Sequence, residues 1–151
     1  TNRMEIDPVA REFIERARIA ILATADSESK PHLVPVVFVF DGSRFFIPID
    51  EKRKTIKPEK LKRVTNIREN PNVALLVHEY SEDWTKLAFV MVQGKASIEN
   101  NKSQEEEKSV WLREACKKLI VKYPQYQKTG LGYLCIIIKP EKVSSWQNSP
   151  S

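Results

Sequence analysis

The sequence predicts a mainly β domain in which an antiparallel sheet closes into a barrel with flanking helices. Two observations support this fold class. Strand-like segments follow one another across short polar turns, and the element order α-β-β-β-α-β-β-α-β contains no regular βαβ alternation. The length of 151 residues, with 41% hydrophobic and 30% charged side chains, fits a single domain over residues 1–151.

The first half of the chain predicts a short helix and three strands. Asp7 and Pro8 are typical of an N-cap followed by a first helical turn. The three strand-like segments are residues 19–25, 32–40 and 44–50. Asp41-Gly42 lies between the last two and indicates a tight hairpin, because glycine adopts positive φ without steric cost. The second and third strands are therefore expected to pair.

The second half predicts two helices and three strands. The first helix begins at Pro58 and ends before Pro71, because proline cannot continue a helix. The elements expected after it are strands over residues 73–80 and 87–99, a helix over 103–123, a strand over 133–138 and a tail over 139–151. Pro31 and Pro35 bracket the beginning of the second strand of the first half. They cannot donate ladder hydrogen bonds, which indicates an edge strand or an irregular strand that faces a ligand.

Basic side chains are concentrated in one segment, residues 52–68. It contains eight of the 25 Lys and Arg residues and one of the 20 acidic residues, which leaves 17 basic and 19 acidic residues elsewhere. The net charge of +5 therefore arises in this segment. Such a cluster predicts a site for phosphate or a polyanion, and the alternative is a solvated basic helix face.

Motifs for catalysis or metal binding are missing. His32 and His78 have no partner at metal-ligand spacing, and no glycine-rich phosphate loop or nucleophile motif occurs. We therefore predict no metal site and assign no catalytic residue. Cys116 and Cys135 lack CxxC spacing and are expected to be buried free thiols. Trp84, in an acidic loop, either covers a planar aromatic ligand or folds onto its own barrel.

The expected location is the cytoplasm. Neither a secretory leader nor an apolar run long enough to span a membrane occurs in the sequence, so no membrane partner is expected.

Several motifs in order along the chain resemble the pyridoxamine 5'-phosphate oxidase-like, FMN-binding split-barrel superfamily. They are Ala23-Thr24-Ala25, Lys30-Pro31-His32-Leu33-Val34-Pro35-Val36, Phe38, Asp41-Gly42 and Phe45, and then Arg63 with Asn66-Ile67-Arg68-Glu69-Asn70-Pro71-Asn72-Val73. Three further motifs are similar to a subgroup that depends on coenzyme F420, a deazaflavin. They are Pro48-Ile49-Asp50-Glu51-Lys52, Glu82-Asp83-Trp84 and Lys139-Pro140-Glu141-Lys142-Val143-Ser144-Ser145-Trp146.

This resemblance implies a six-stranded antiparallel split barrel that forms a homodimer and binds its cofactor in a cleft between the two subunits. It implies that Pro48, Ile49 and Asp50 lie along the tricyclic ring. The phosphate would be held by a set of polar side chains, namely Lys52, Lys54, Lys60, Arg63 and Asn66. His32 and Trp84 would line the ring or the substrate side, from the same or the other subunit.

The function implied is an oxidoreductase that uses FMN or F420 to move a hydride to or from a small organic substrate. Hydride transfer is the chemistry of the cofactor, which agrees with the missing catalytic motifs. Oxidation of vitamin B6 is disfavoured, because Ser144-Ser145-Trp146-Gln147 stands where pyridoxamine 5'-phosphate oxidases have an arginine-rich C-terminus. Two alternatives remain: a cofactor-binding or sensor module without turnover, and a nucleic-acid-binding barrel that uses the basic segment. Against the second, no aromatic residue interleaves with the basic segment.

Overall fold

The computed structural model describes residues 5–50, 56–86, 88–102 and 104–147. It contains four α-helices, seven strands and two short 3₁₀ turns in these residues. In chain order they are α1 (Pro8–Arg16), β1 (Ala20–Ala25), β2 (Pro31–Val36), β3 (Val39–Phe40), β4 (Phe45–Pro48), a 3₁₀ turn (Pro58–Lys60), α2 (Lys62–Glu69), β5 (Asn72–Glu79), a second 3₁₀ turn (Trp84–Lys86), β6 (Ala88–Asn100), α3 (Glu106–Lys122), α4 (Tyr126–Thr129) and β7 (Leu134–Gln147).

All seven strands form one antiparallel sheet in the order β2-β1-β5-β6-β7-β4-β3. The edge strands β2 and β3 are consecutive in the chain, and only Val37 and Phe38 lie between them. Two intervening residues span at most about 11 Å, whereas a flat sheet of this size would separate its edges by about 29 Å. The sheet therefore curls until its edges approach each other, which gives a barrel split between β2 and β3. This confirms the predicted fold class, with seven strands instead of six.

The seventh strand arises because the predicted strand over residues 32–40 divides in two. Its first part, β2, pairs with β1, and its last two residues, β3, form the predicted hairpin with β4 across Asp41-Gly42. The predicted pairing of the second and third strands is therefore confirmed for residues 39–40 only. The position of β2 confirms the prediction of an edge strand from Pro31 and Pro35.

The backbone at the split is satisfied by the C-terminal end of α3. The hydroxyl of Tyr123 accepts a hydrogen bond from the Phe38 N–H at 3.3 Å and lies 3.1 Å from the Phe38 carbonyl and 2.9 Å from the Arg18 carbonyl. Lys122 donates through Nζ to the Phe38 carbonyl at 3.0 Å. These side chains replace the ladder partner that Phe38 lacks at a sheet edge.

The predicted tail after residue 138 was wrong, because β7 continues to Gln147 and pairs with β6 along its length. A bulge opposite Gln93 and Gly94 admits one extra residue of β7. At the bulge the strands approach so closely that a Cβ on Gly94 would lie 2.2 Å from the Lys139 carbonyl oxygen. Pro140 lies at this irregularity, where a missing N–H is tolerated.

Two hydrophobic cores stabilise the fold. The first fills the barrel and includes Phe38, Ile47, Leu75 and Val92, with Ile14 of α1 among them. The second lies outside the barrel, where α3 and α4 pack on β4 and β7. Strand β4 is buried on both faces as a result.

The helices largely confirm their predictions. Asp7 caps α1 by accepting a hydrogen bond from the Ala10 N–H at 3.2 Å. The helix predicted from Pro58 begins as a 3₁₀ turn before α2. Leu87 and Ser103, where a strand and a helix were predicted to begin, and residues 148–151 of the predicted tail lie outside the described residues.

Both cysteines are free, and Cys135 is buried as predicted whereas Cys116 is only half-buried. In the described part of the chain, no helix is both long and apolar enough to cross a membrane.

Candidate functional site

The candidate site is built on α2, which packs against β1, β2 and β6. Val64 and Ile67 anchor this helix in the barrel core. Two contacts tie it to the β1–β2 turn. Glu69 accepts a hydrogen bond from the Ser27 N–H at 3.1 Å, and Lys62 pairs with Asp26 at 3.8 Å. The register of α2 against β1 and β2 is therefore fixed at both ends of the helix.

Asn66 is the most deeply buried polar residue of the predicted site, with no exposed surface. Its Nδ2 donates to Oγ1 of Thr24 on β1 at 3.0 Å, and Thr24 is itself 3% exposed. Its Oδ1 is buried without a hydrogen-bond partner among the described residues. A buried polar atom without a partner costs about 1–3 kcal/mol, which is often a sign that a ligand or water completes the site.

Arg63 lies one turn before Asn66 on the same helix. Its side chain is half-buried, and its Nε has no hydrogen-bond partner among the described residues. Burial lowers the pKa of the Arg63 guanidinium, and the charge of Asp50 opposes this shift. Arginine nevertheless remains charged near neutral pH, so the helix presents a partly desolvated cation with a free donor. Such a group favours an anion.

His32 joins this cluster through the pairing of the strands. It lies directly opposite Thr24 in the β1–β2 ladder, so the two side chains are on the same face of the sheet. The His32 side chain is half-buried, and its Nδ1 has no partner among the described residues. Three buried polar atoms without partners therefore belong to neighbouring elements, namely Nδ1 of His32, Nε of Arg63 and Oδ1 of Asn66.

Asp50 follows β4, and its charge acts on Arg63. Its Oδ1 accepts a hydrogen bond from the Tyr126 hydroxyl at 2.8 Å. Burial, together with this carboxylate, raises the pKa of Tyr126 well above its ordinary value. The tyrosine therefore stays protonated and fixes the carboxylate beside Arg63. Pro48 and Ile49, which precede Asp50, have buried side chains, and Ile49 belongs to the barrel core.

The lysines of the predicted phosphate site are less well defined. Lys60 is exposed in the first 3₁₀ turn, and Lys52 and Lys54 lie outside the described residues. The turn itself is held to the barrel because Glu59 accepts a hydrogen bond from the Tyr133 hydroxyl. This hydrogen bond is the largest cause of the lowered pKa of Glu59.

Trp84 is not brought to this cluster within one chain. It lies in the second 3₁₀ turn, after the C-terminal end of β5, and 65% of it is exposed. The α2 helix instead leads into the start of β5 at Asn72, and eight residues of strand extend over about 23 Å. The expectation that Trp84 lines the ring thus stays a prediction that involves the other subunit.

Two residues of the cluster were not predicted from the sequence as site residues. Thr24 is a polar residue in an otherwise apolar strand, which is a signal that the sequence contains. Tyr126 gives no such signal, since its contact with Asp50 joins residues 76 positions apart. In the described residues, no group of three or more His, Cys, Asp or Glu side chains could hold a metal ion.

A model of the family described as pyridoxamine 5'-phosphate oxidase matches residues 6–147 of this chain. Among solved structures, the chain is similar to the heme storage protein HutZ from Vibrio cholerae, with a TM-score of 0.68, 16% identity and 95% of each chain covered. A FAD-binding protein from Mesorhizobium loti gives a TM-score of 0.66 at 16% identity and covers 93% of this chain and 94% of that chain.

A putative pyridoxamine 5'-phosphate oxidase from Listeria innocua gives a TM-score of 0.58 at 19% identity, with 89% of this chain and 92% of that chain covered. Identities this low show a shared fold alone. A search of curated proteins found no match. The family match extends from α1 to the end of β7 and confirms the superfamily resemblance predicted from the motifs. The chain belongs to the pyridoxamine 5'-phosphate oxidase family of split barrels.

Proposed function

We propose that this protein is a homodimeric oxidoreductase that binds FMN or the deazaflavin F420 and moves a hydride to or from a small organic substrate. The observation that carries the proposal is the half-buried guanidinium of Arg63, whose Nε has no partner among the described residues, one helical turn before Asn66, whose Oδ1 also has none. Family membership supports a flavin-type ligand at this position.

The donor set fits a phosphorylated cofactor. Arg63 supplies charge-assisted donors for a phosphate, and such hydrogen bonds are stronger than neutral ones. Oδ1 of Asn66 is an acceptor, because Nδ2 is already used by Thr24. It therefore fits a hydroxyl group of the cofactor chain better than a phosphate oxygen. Nδ1 of His32 adds a further polar atom on the same side of the sheet.

The bound cofactor supplies the hydride chemistry, so the protein needs to bind, orient and exclude water. Tyr126 does not ionise near neutral pH, because its pKa is raised, so its hydroxyl continues to donate to Asp50 there. No side chain is assigned as a general acid or base.

The homodimer is supported by an apolar face of the sheet. On the outer side of β2, β1, β5 and β6, apolar residues lie opposite one another in register, from Pro35 through Ile21 and Leu76 to Met91. Leu33 lies on this face and is 67% exposed. The described helices α3 and α4 pack on the other side of the barrel, against β4 and β7. A second copy of the chain would cover this apolar face, which lies on the opposite side of β2 from the His32 side chain.

The cofactor is tested by absorption titration of the purified protein with FMN and F420, and with FAD and hemin as comparators. We expect Arg63→Ala to weaken binding of FMN or F420 roughly 10- to 100-fold, since a hydrogen bond to a charged group contributes about 1.5–3 kcal/mol. Arg68→Ala is the matched control, because Arg68 is an exposed arginine on the same helix.

Riboflavin, which lacks the phosphate, should lose little affinity on the Arg63 substitution. Equal losses for riboflavin and FMN would mean that Arg63 acts through the fold. Uptake of hemin alone would overturn the flavin assignment. Cofactor uptake without any reduction of the bound cofactor by candidate reductants would favour a binding or sensor module without turnover.

The dimer is tested by light scattering, which should give twice the chain mass. Leu33→Asp should yield monomers, while Val110→Asp, at an apolar residue 53% exposed on α3, should not. A wild-type monomer that still binds the cofactor tightly would contradict the shared cleft.

The alternative function, nucleic-acid binding by the basic segment, is tested in parallel. The affinity of such a protein for nucleic acid would fall steeply as the salt concentration rises, because a groove that binds a polyanion neutralises several phosphates at once. We expect single-stranded oligonucleotides to bind no more tightly than about 10⁻⁴ to 10⁻⁶ M at physiological salt. Submicromolar, steeply salt-dependent binding would assign the basic segment to nucleic acid.

A further inference from the structure

A cavity of about 440 Å³ lies between α1, β3 and α3, and it shares no residue with the candidate site. Its lining combines apolar and charged side chains: Glu15, Val39, Phe40, Glu114, Lys117, Lys118, Val121 and Lys122. Val39, Phe40 and Val121 supply the apolar part. The volume is in the range of small-molecule sites.

The charges around the cavity do not cancel. Glu15 pairs with Arg11 at 3.0 Å, and Glu114 pairs with Lys117 at 3.5 Å. Both lining carboxylates thus have a cation of their own. Lys118 and Lys122 have no carboxylate within salt-bridge distance among the described residues. The cavity therefore carries two lysines without a salt bridge of their own beside an apolar floor.

Lys122 is held in a defined position. Its Nζ donates to the Phe38 carbonyl at 3.0 Å and lies 4.1 Å from the centroid of the Phe38 ring. An ammonium has three hydrogens, so two remain for a ligand. Burial lowers the pKa of Lys122 to about 8, the charge of Arg18 also lowers it, and Glu15 raises it. A bound anion would restore the charge of this amine.

From the two lysines without a salt bridge and the apolar floor, we propose that this cavity binds an organic carboxylate with an apolar body, whose carboxylate group pairs with Lys122 and Lys118. The apolar body would lie against Val39, Phe40 and Val121. The class includes medium-chain fatty acids and aryl carboxylates. The proposal is independent of the flavin assignment, because it uses none of the residues around Arg63.

The test is calorimetric titration of the wild-type protein with octanoate, and with octan-1-ol and octylammonium as comparators of similar shape. We expect octanoate to bind at least tenfold more tightly than either comparator. Lys122→Met should weaken octanoate binding about tenfold, as expected for a hydrogen bond to a charged group. Lys118→Met should weaken it about two- to fivefold, because this lysine is more exposed.

Lys117→Met is the matched control, since Lys117 lines the same cavity but is paired with Glu114. It should change octanoate affinity less than twofold. Lys118→Met keeps the test valid if Lys122→Met fails to fold, because the hydrogen bond to the Phe38 carbonyl at the split comes from Lys122 and not from Lys118.

The pH dependence gives a second readout. Octanoate affinity should fall as the pH rises through 8 in the wild type, and this fall should be absent in Lys122→Met. The other charged or titratable groups near the amine are Glu15, Arg18, Glu114, Lys117, Lys118 and Tyr123. No octanoate binding at millimolar concentration, equal binding of octylammonium, or equal losses in the Lys117 and Lys118 variants would each overturn the proposal.

Discussion

Replacing the buried pair Asn66 and Thr24 by apolar residues separates a structural role from a role in binding. Asn66 is fully buried, and it combines one satisfied hydrogen bond to Thr24 with one unpartnered oxygen. If the pair only stabilised the fold, the unpartnered Oδ1 of Asn66 would add no stability. We therefore compare Thr24→Val, Asn66→Leu and the double variant in urea unfolding and in cofactor titration.

The expected free energies follow from the number of polar atoms that each variant leaves without a partner. Thr24→Val leaves Nδ2 of Asn66 unsatisfied as well as Oδ1, so we expect a loss of about 1–3 kcal/mol. The double variant removes every polar atom of the pair. Replacing both partners by apolar groups of similar shape is nearly neutral or stabilising, so its free energy of unfolding should lie within about 1 kcal/mol of the wild type or above it.

Cofactor affinity should fall in the double variant, even though its free energy of unfolding stays close to that of the wild type. The double variant should bind FMN or F420 at least tenfold more weakly, because the acceptor Oδ1 is gone, although the fold is intact. A destabilisation of the double variant by more than about 3 kcal/mol would refute the reasoning and make the pair structural. A stable double variant with unchanged cofactor affinity would place the binding site elsewhere.

Three further predictions concern the barrel itself. Tyr123→Phe should lower the free energy of unfolding by about 1–3 kcal/mol in urea, because the Phe38 N–H loses its partner at the split. Gly94→Ala should lower the thermal midpoint by several degrees or prevent folding, because the added Cβ would lie 2.2 Å from the Lys139 carbonyl oxygen. The lowered pKa of Lys122 means that the unfolded chain binds more protons between about pH 8 and its ordinary pKa of 10.5, so this group makes stability rise with pH in that window. The difference in unfolding free energy between wild type and Lys122→Met, measured from pH 7 to 10, should show this rise.

Controls for these predictions come from exposed positions. Tyr80→Phe removes only an exposed hydroxyl contact with Glu82, and Ser97→Ala changes an exposed residue on the same strand as Gly94. Each should change stability by no more than about 0.5 kcal/mol. Equal losses of unfolding free energy in Tyr80→Phe and Tyr123→Phe would contradict the stabilising role of the Tyr123 hydroxyl at the split. If the difference in unfolding free energy between the wild type and Lys122→Met stays constant or falls as the pH rises, the lowered pKa of Lys122 is contradicted.

The sequence alone determined the features that depend on neighbouring residues. Asp7 with Pro8 predicted the start of α1, and Asp41-Gly42 predicted the hairpin between β3 and β4. These signals are local, because a cap or a tight turn is decided by the φ and side-chain chemistry of two to four residues. The proline pair in β2 predicted an edge strand or an irregular strand that faces a ligand, because proline has no N–H to donate, and β2 lies at the edge of the sheet.

Several residues of the candidate site were also named from the sequence, and their role in cofactor binding stays a prediction. The basic segment and the family motifs predicted Arg63, Asn66, His32 and Asp50, and the structure places these residues on neighbouring elements. Pro48 and Ile49 instead have buried side chains, and Trp84 lies beyond the far end of β5. Which residues of a motif remain accessible depends on packing, which a motif does not describe.

Only the tertiary structure decided the features that join distant parts of the chain. The predicted strand over residues 32–40 divides at Val37 and Phe38 because the sheet edges meet there, and its apolar sequence is compatible with one strand or two. The polar end of β7 becomes a strand because β6 supplies its hydrogen bonds.

The contacts of Asn66 with Thr24 and of Tyr126 with Asp50 join residues 42 and 76 positions apart. A shift of one residue in strand register would turn Thr24 and His32 to the other face and dissolve the cluster. Local chemistry thus specified the elements, and the register between elements specified the site.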